Sequence, residues 1–182
     1  MKQHKALWIS LAGLVGGGIC LLACVALIFI GAATYGLMPL GDPLAVGAVA
    51  PDFELTTLSG QGIRLSQFRG QPVVVSIGAT WCPDCRKEAP ILQSLHETYP
   101  DLVVLSVDSR EDAKTVQAFA DEFGLTFPIV LDHDGEVLKS YGVIAIPSLF
   151  FVDSEGVIQA RIVESVSEEK LEESLATIGV TP

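Results

Sequence analysis

Trp81-Cys82-Pro83-Asp84-Cys85, followed directly by Arg86-Lys87-Glu88-Ala89-Pro90, is the stretch on which the reading of this 182-residue chain turns. Before it stands Pro72-Val73-Val74-Val75-Ser76-Ile77-Gly78, a continuous apolar run of the kind a strand buried on both faces shows. After it, residues 82–99 read as a helix. Two cysteines separated by two residues, where a buried strand runs into a helix, bring their sulfurs within bonding distance at the helix amino terminus. The unpaired amides and dipole of that terminus favour negative charge and so activate the first cysteine as a thiolate. Cys82 is expected to be an exposed nucleophile. Cys85, one turn further in, is expected to be more buried and to resolve the mixed disulfide by attacking it.

Other uses of the pair fit less well. A zinc site needs two more Cys or His ligands. In the part of the chain after the cysteines these could come only from His96 and His133, which are far apart and belong to no paired motif. A purely structural disulfide gains little here, because its stabilisation grows with the length of the loop it closes. The two sulfurs can carry the electrons themselves, so neither metal nor cofactor is required. Asp132-His133-Asp134-Gly135 lacks the further oxygens of a calcium loop and reads as a turn.

Outward from the cysteines, strand and helix alternate. A hairpin is predicted over 53–65, strands over 102–107 and 127–131, helices over 112–123 and 136–141, a second hairpin from 148–152 and 157–163, and a closing helix over 168–178. This order implies an α/β sandwich with a mixed central sheet flanked by helices. Pro90 is expected to kink the first helix.

Toward the amino terminus no Asp, Glu, Lys or Arg occurs between Lys5 and Asp42, a run of 36 positions, whereas a spanning helix needs only about 20. We expect one transmembrane helix over residues 7–37. Lys2 and Lys5 orient it with the amino terminus in the cytoplasm and the rest of the chain outside. A cleaved signal peptide and a lipoprotein signal ending at Cys24 are the rival readings, weakened because the apolar run continues through Ile30. Cys20 and Cys24, like Gly13 and Gly17, share a helical face that suits close packing in lipid. The expected organisation is a cytoplasmic stub and anchor over 1–40, a linker over 41–49 punctuated by Gly41, Pro43 and Gly47, and a globular domain over 50–182.

The whole chain carries a formal charge of −11, and from Asp42 onward 9 basic residues face 22 acidic ones. That balance argues against a nucleic-acid partner, which is met by Lys and Arg in patches. It is consistent with solubility and repulsion from anionic lipid.

In the entry Ala50-Pro51-Asp52-Phe53, in Leu65-Ser66-Gln67-Phe68-Arg69-Gly70, in the run from Trp81 to Pro90, and in Ile146-Pro147-Ser148, the chain resembles the thioredoxin-like family. Within it, the resemblance is to the membrane-anchored thiol-disulfide oxidoreductases of the TlpA, ResA and cytochrome c maturation type. It implies a cis peptide bond before Pro147, which leaves the Ile146 backbone free to pair with an extended substrate beside Trp81 and Pro83. It also implies an acidic residue near the thiols. Glu88, three residues past Cys85, is the candidate for tuning proton transfer there, the alternative being a solvated surface glutamate. Ser76 stands where cytoplasmic thioredoxins carry a buried aspartate. The implied clients are extracytoplasmic proteins with disulfides, apocytochrome c leading, and electrons are restored by a membrane thiol donor.

Two departures bear on the chemistry. Asp84 puts a carboxylate beside the Cys82 thiolate, an unfavourable neighbour that Arg86 is expected to offset. A less stable thiolate makes the couple more reducing. Peroxiredoxins share the fold, but their P-x-x-x-T-x-x-C pattern is absent, since Thr80 is two residues before Cys82 and position 75 is Val. A peroxidase, and a redox-sensing scaffold without turnover, are the alternatives to a reductase.

Overall fold

A computed structural model describes residues 44–164 and 166–181. The expected spanning segment 7–37, with Cys20 and Cys24, lies outside them. No helix among the described residues is long and apolar enough to cross a membrane.

Seven strands form one mixed sheet: β1 (Glu54–Thr57), β2 (Gly62–Arg64), β3 (Val73–Gly78), β4 (Val103–Ser109), β5 (Ile129–Asp132), β6 (Ser148–Val152) and β7 (Ile158–Val163). Their spatial order is β2-β1-β5-β4-β3-β6-β7. Strands β3, β4 and β5 are parallel, while β6 and β7 on one side and β1 and β2 on the other run antiparallel to their neighbours. Parallel neighbours require crossover connections, and two helices supply them: α1 (Pro83–Thr98) between β3 and β4, and α2 (Ala113–Phe123) between β4 and β5. All six residues of β3 are buried, as expected of a central strand covered on both faces.

One face of the sheet packs against Leu92 and Leu95 of α1, Val116 and Ala120 of α2, and Leu171 and Leu175 of α4 (Glu168–Thr177). The other face is closed by Val137 of α3 (Glu136–Ser140), Tyr141, Leu65 and Leu44. Local chemistry sets the helix ends. The Asp112 carboxylate accepts from Thr115 N–H at 2.9 Å at the start of α2, and Gly124, with φ 62°, stops that helix in the left-handed conformation. Helix α1 continues through Pro90 to Thr98. The Asp132–Gly135 segment is a turn, in which buried Asp132 accepts from the amides of Val137 and Leu138.

The connector expected over 41–49 is not a free linker from Leu44 onward. Leu44 is 1% exposed. Gly47 N–H donates to Ile158 at 2.7 Å, Ile158 N–H donates to Ala48, and Val49 bridges Val157. The physical reason is that β7 closes the sheet and leaves backbone groups without a strand neighbour; this segment satisfies some of them.

Candidate active site

Strand β3 ends at Gly78, and Ala79-Thr80-Trp81 carries the chain to the start of α1. Cys82 is the residue that caps α1: its sulfur accepts from the Cys85 N–H at 3.2 Å. Pro83 follows at the first helical position, where the missing N–H costs nothing. The Cys82 thiol also points to the Ile146 carbonyl oxygen, 3.6 Å away. The Ile146–Pro147 bond is cis. Both cysteines are free thiols.

The contrast expected between an exposed Cys82 and a more buried Cys85 is not what the structure has. Cys82 is 4% exposed and Cys85 9%. The Ile146 carbonyl lies on the first sulfur, and it is Trp81, at 69%, that stands out into solvent. What sets Cys85 apart is chemical. Burial pushes its thiol far above the ordinary range, and its contact with Cys82 and the nearby charges of Cys82 and Glu88 push the same way.

Glu88 is 3% exposed, which disposes of the solvated-glutamate alternative. Its Oε1 accepts from the Ser76 hydroxyl at 2.7 Å, while Oε2 has no partner among the described residues. Burial pushes this carboxyl up to about 7, against the Ser76 bond, which lowers it. A carboxyl that can hold or release a proton near neutrality thus sits one helical turn from Cys85.

Arg86, expected to offset the Asp84 charge at Cys82, makes no ion pair with Asp84 among the described residues. It pairs with Glu122 and lies over the rings of Phe119 and Phe123, 5.6 and 5.0 Å from their centroids, tying α1 to α2. Lys87 meets Asp84 instead, its Nζ 2.7 Å from Asp84 Oδ1. The helix periodicity decides this, because position 87 is one turn from 84 whereas position 86 faces α2.

The sequence reading missed a polar strip beneath the start of α1. In the parallel register of β3 and β4, Ser76 lies beside Ser106 and Gly78 beside Asp108, so all four share one face. A side chain at Gly78 would bring its Cβ within 3.0 Å of Cys85 Sγ. Asp108 is 6% exposed, and its Oδ1 has no partner among the described residues. Glu111 accepts from both the backbone N–H and the hydroxyl of Thr80, each at 2.6 Å, holding the loop just before Cys82. The available signal was the matched spacing Ser76-Ile77-Gly78 and Ser106-Val107-Asp108 in two apolar runs, where small or polar residues interrupt one face only.

Beside Cys82 a shallow groove of about 290 Å³ is lined by Trp81, Arg110, Leu138, Val143, Ile144 and Ile146, with Ile144 93% exposed. His96 packs edge-on against Phe127, and His133 Nδ1 lies 3.1 Å from the Glu111 carbonyl. Among the described residues no three His, Cys, Asp or Glu are grouped to hold a metal ion.

A mixed sheet with a vicinal dithiol capping a helix, faced by a cis-proline loop, defines a thioredoxin-like thiol-disulfide oxidoreductase. The chain belongs to the AhpC/TSA family, whose model matches residues 46–161. It is 39% identical to the thiol-disulfide oxidoreductase ResA of Geobacillus kaustophilus over 137 residues, 74% of this chain and 79% of that protein. Among solved structures it resembles a thiol:disulfide interchange protein DsbE of Chlorobium tepidum, with TM-score 0.70 and 28% identity over 75% of this chain and 99% of that one. It also resembles a secreted Mycobacterium tuberculosis disulfide oxidoreductase homologous to the DsbE of E. coli, with TM-score 0.63 and 28% identity over 68% and 94% of the two chains.

Proposed function

We propose that this oxidoreductase is anchored by residues 7–37, with Lys2 and Lys5 on the cytoplasmic side, and reduces disulfides in extracytoplasmic protein clients. The similarity to a secreted disulfide oxidoreductase supports the outward placement. The observation that carries the reductive chemistry is the position of Cys82 at the head of α1, with the buried, hard-to-ionise Cys85 behind it and Glu88 one turn away.

The Cys82 thiolate attacks one sulfur of the client disulfide, and the other client sulfur leaves as a thiolate. Glu88, one turn away, is one acceptor available to the Cys85 proton. Cys85 then attacks the Cys82 sulfur, the second client thiolate departs, and the enzyme is left with a Cys82–Cys85 disulfide, two electrons having passed to the client. Ile146, whose backbone flanks the sulfur, pairs with the extended client. Pro147, Trp81 and Pro83 shape the contact around it, and the apolar groove accepts a neighbouring side chain. A membrane dithiol donor returns the electrons. Apocytochrome c, whose haem-attachment cysteines must be reduced, is the leading client.

The test is the reduction potential of the Cys82–Cys85 pair in the full-length chain, equilibrated against graded thiol buffers. A reductase is expected near thioredoxin's value of about −270 mV. A potential above about −180 mV, the scale of a disulfide isomerase, would reverse the assigned direction of electron flow.

A further inference from the structure

We propose that Asp108 is a second proton station for Cys85, exchanging with solvent through Glu111. Asp108 takes the thiol proton when Cys85 resolves a mixed disulfide and returns it when the donor reopens the Cys82–Cys85 bond. The proposal rests on the reading of Cys85 as the resolving thiol.

Three features of the structure carry it. First, Cys85, Glu88, Ser76, Ser106 and Asp108 line one small cavity of about 30 Å³, walled otherwise by apolar side chains such as Phe119 and Phe127, room for one water among the polar groups. Second, Gly78 leaves the Cys85 sulfur uncovered on this side, and its register partner on β4 is Asp108, so the missing side chain opens the path between thiol and carboxyl. Third, the Glu111 carboxylate is close enough to Asp108 to act on it, and half-buried Glu111, which holds Thr80, leads outward. An unpartnered Oδ1 on a residue 6% exposed has no packing role that an apolar side chain would not perform better.

The charges around Asp108 favour its neutral form at rest. Burial acts most strongly, and the Glu111 charge adds to it, together pushing the carboxyl up to about 8. Glu88 faces the same cavity from α1. Arg86 reaches the Thr80 carbonyl at 3.4 Å but is engaged by Glu122, and His133 meets the Glu111 backbone carbonyl. Asp132 on β5 turns to the opposite face, toward α3.

In the resolving step the Cys85 S–H bond breaks and its proton goes to ionised Asp108. The Cys85 sulfur bonds that of Cys82, and the electron pair of the broken mixed disulfide leaves on the outgoing thiolate. The route through Asp108 is therefore open above its titration and closed below it.

Stopped-flow reaction of the full-length reduced chain with a chromogenic aromatic disulfide reads both steps. The first thiolate release scales with reagent concentration and reports Cys82, whereas the second does not and reports Cys85. Asp108→Asn is expected to leave the first phase unchanged and to match the wild type in the second at about pH 6, where Asp108 is already protonated. At about pH 9 its second phase should lag by roughly tenfold. Glu111→Gln should show the same pH-confined lag, which keeps the test open if Asp108→Asn does not fold. Second phases that superimpose with the wild type at every pH, or lag by one constant factor as a structural effect would, overturn the proposal. A second phase that persists in Cys85→Ala overturns instead the reading of Cys85 on which it rests.

Discussion

The Ser76 hydroxyl donates to Glu88 Oε1 at 2.7 Å in a site where the two residues are 4% and 3% exposed. This bond joins the central strand β3 to the first helix. The second glutamate oxygen has no partner among the described residues, and Glu88 and Cys85 line the same small cavity, so the carboxyl is held in place by one oxygen while the other remains available for a proton.

Burial of Glu88 makes stability depend on pH. Its carboxyl rises from 4.5 to about 7 on folding, so between those values the folded chain keeps a proton that the unfolded chain has lost. Stability from this group is therefore fullest below 4.5 and declines as pH climbs through about 7, a loss of roughly 3 kcal/mol. Urea midpoints for Glu88→Gln should decline less over that window than those of the wild type. Parallel curves would mean that Glu88 titrates like an exposed carboxyl.

Gly78→Ala tests the space beside the resolving sulfur. Its backbone φ is outside the left-handed region, so any effect comes from the new methyl, 3.0 Å from Cys85 Sγ. We expect a loss of about 1–3 kcal/mol from overpacking and a slower closure of the Cys82–Cys85 disulfide, read by denaturation and by the second phase of thiolate release. Wild-type closure in a well-folded variant would show that the sulfur does not need this gap.

Asp84→Asn should make the couple less reducing. Removing a carboxylate next to the Cys82 thiolate favours the reduced form, while the Lys87 ammonium that already sits 2.7 Å from Asp84 limits the change. The expected shift is upward, on the order of 10–20 mV. A downward shift in thiol-buffer titration would contradict the assignment of Asp84 as an unfavourable neighbour.

Ile144→Ser separates client docking from thiol chemistry. A side chain 93% exposed at the rim of the Cys82 groove contributes little to folding. We expect kcat/KM for a protein disulfide to fall by about three- to tenfold, with an unchanged melting temperature and unchanged reactivity toward a small chromogenic disulfide. Equal losses on both substrates would count against a docking role.

The order of elements was legible because it rests on local pattern. The apolar run before Gly78, the helical spacing of Val116, Ala120 and Phe123, and the turn residues around Gly135 and Gly156 are each read within a short window. The strands and helices lie within about two residues of the expected bounds. The Cys82–Cys85 pair at a strand-to-helix junction, and the proline at 147, were legible for the same reason.

By itself, then, the amino-acid sequence determined a dithiol at a helix amino terminus within an α/β sandwich, since both follow from the order and periodicity of neighbouring residues. Only the tertiary structure decided the environment of those sulfurs. That Ile146 covers Cys82, that Ser76 holds Glu88, that Lys87 and not Arg86 meets Asp84, and that Asp108 faces Cys85 across the gap at Gly78 depends on strand register and helix rotation. The docking of Leu44 and its neighbours along β7 belongs with these. Proton affinities in such a site are set by burial and by partners distant in sequence, and no local window contains that information.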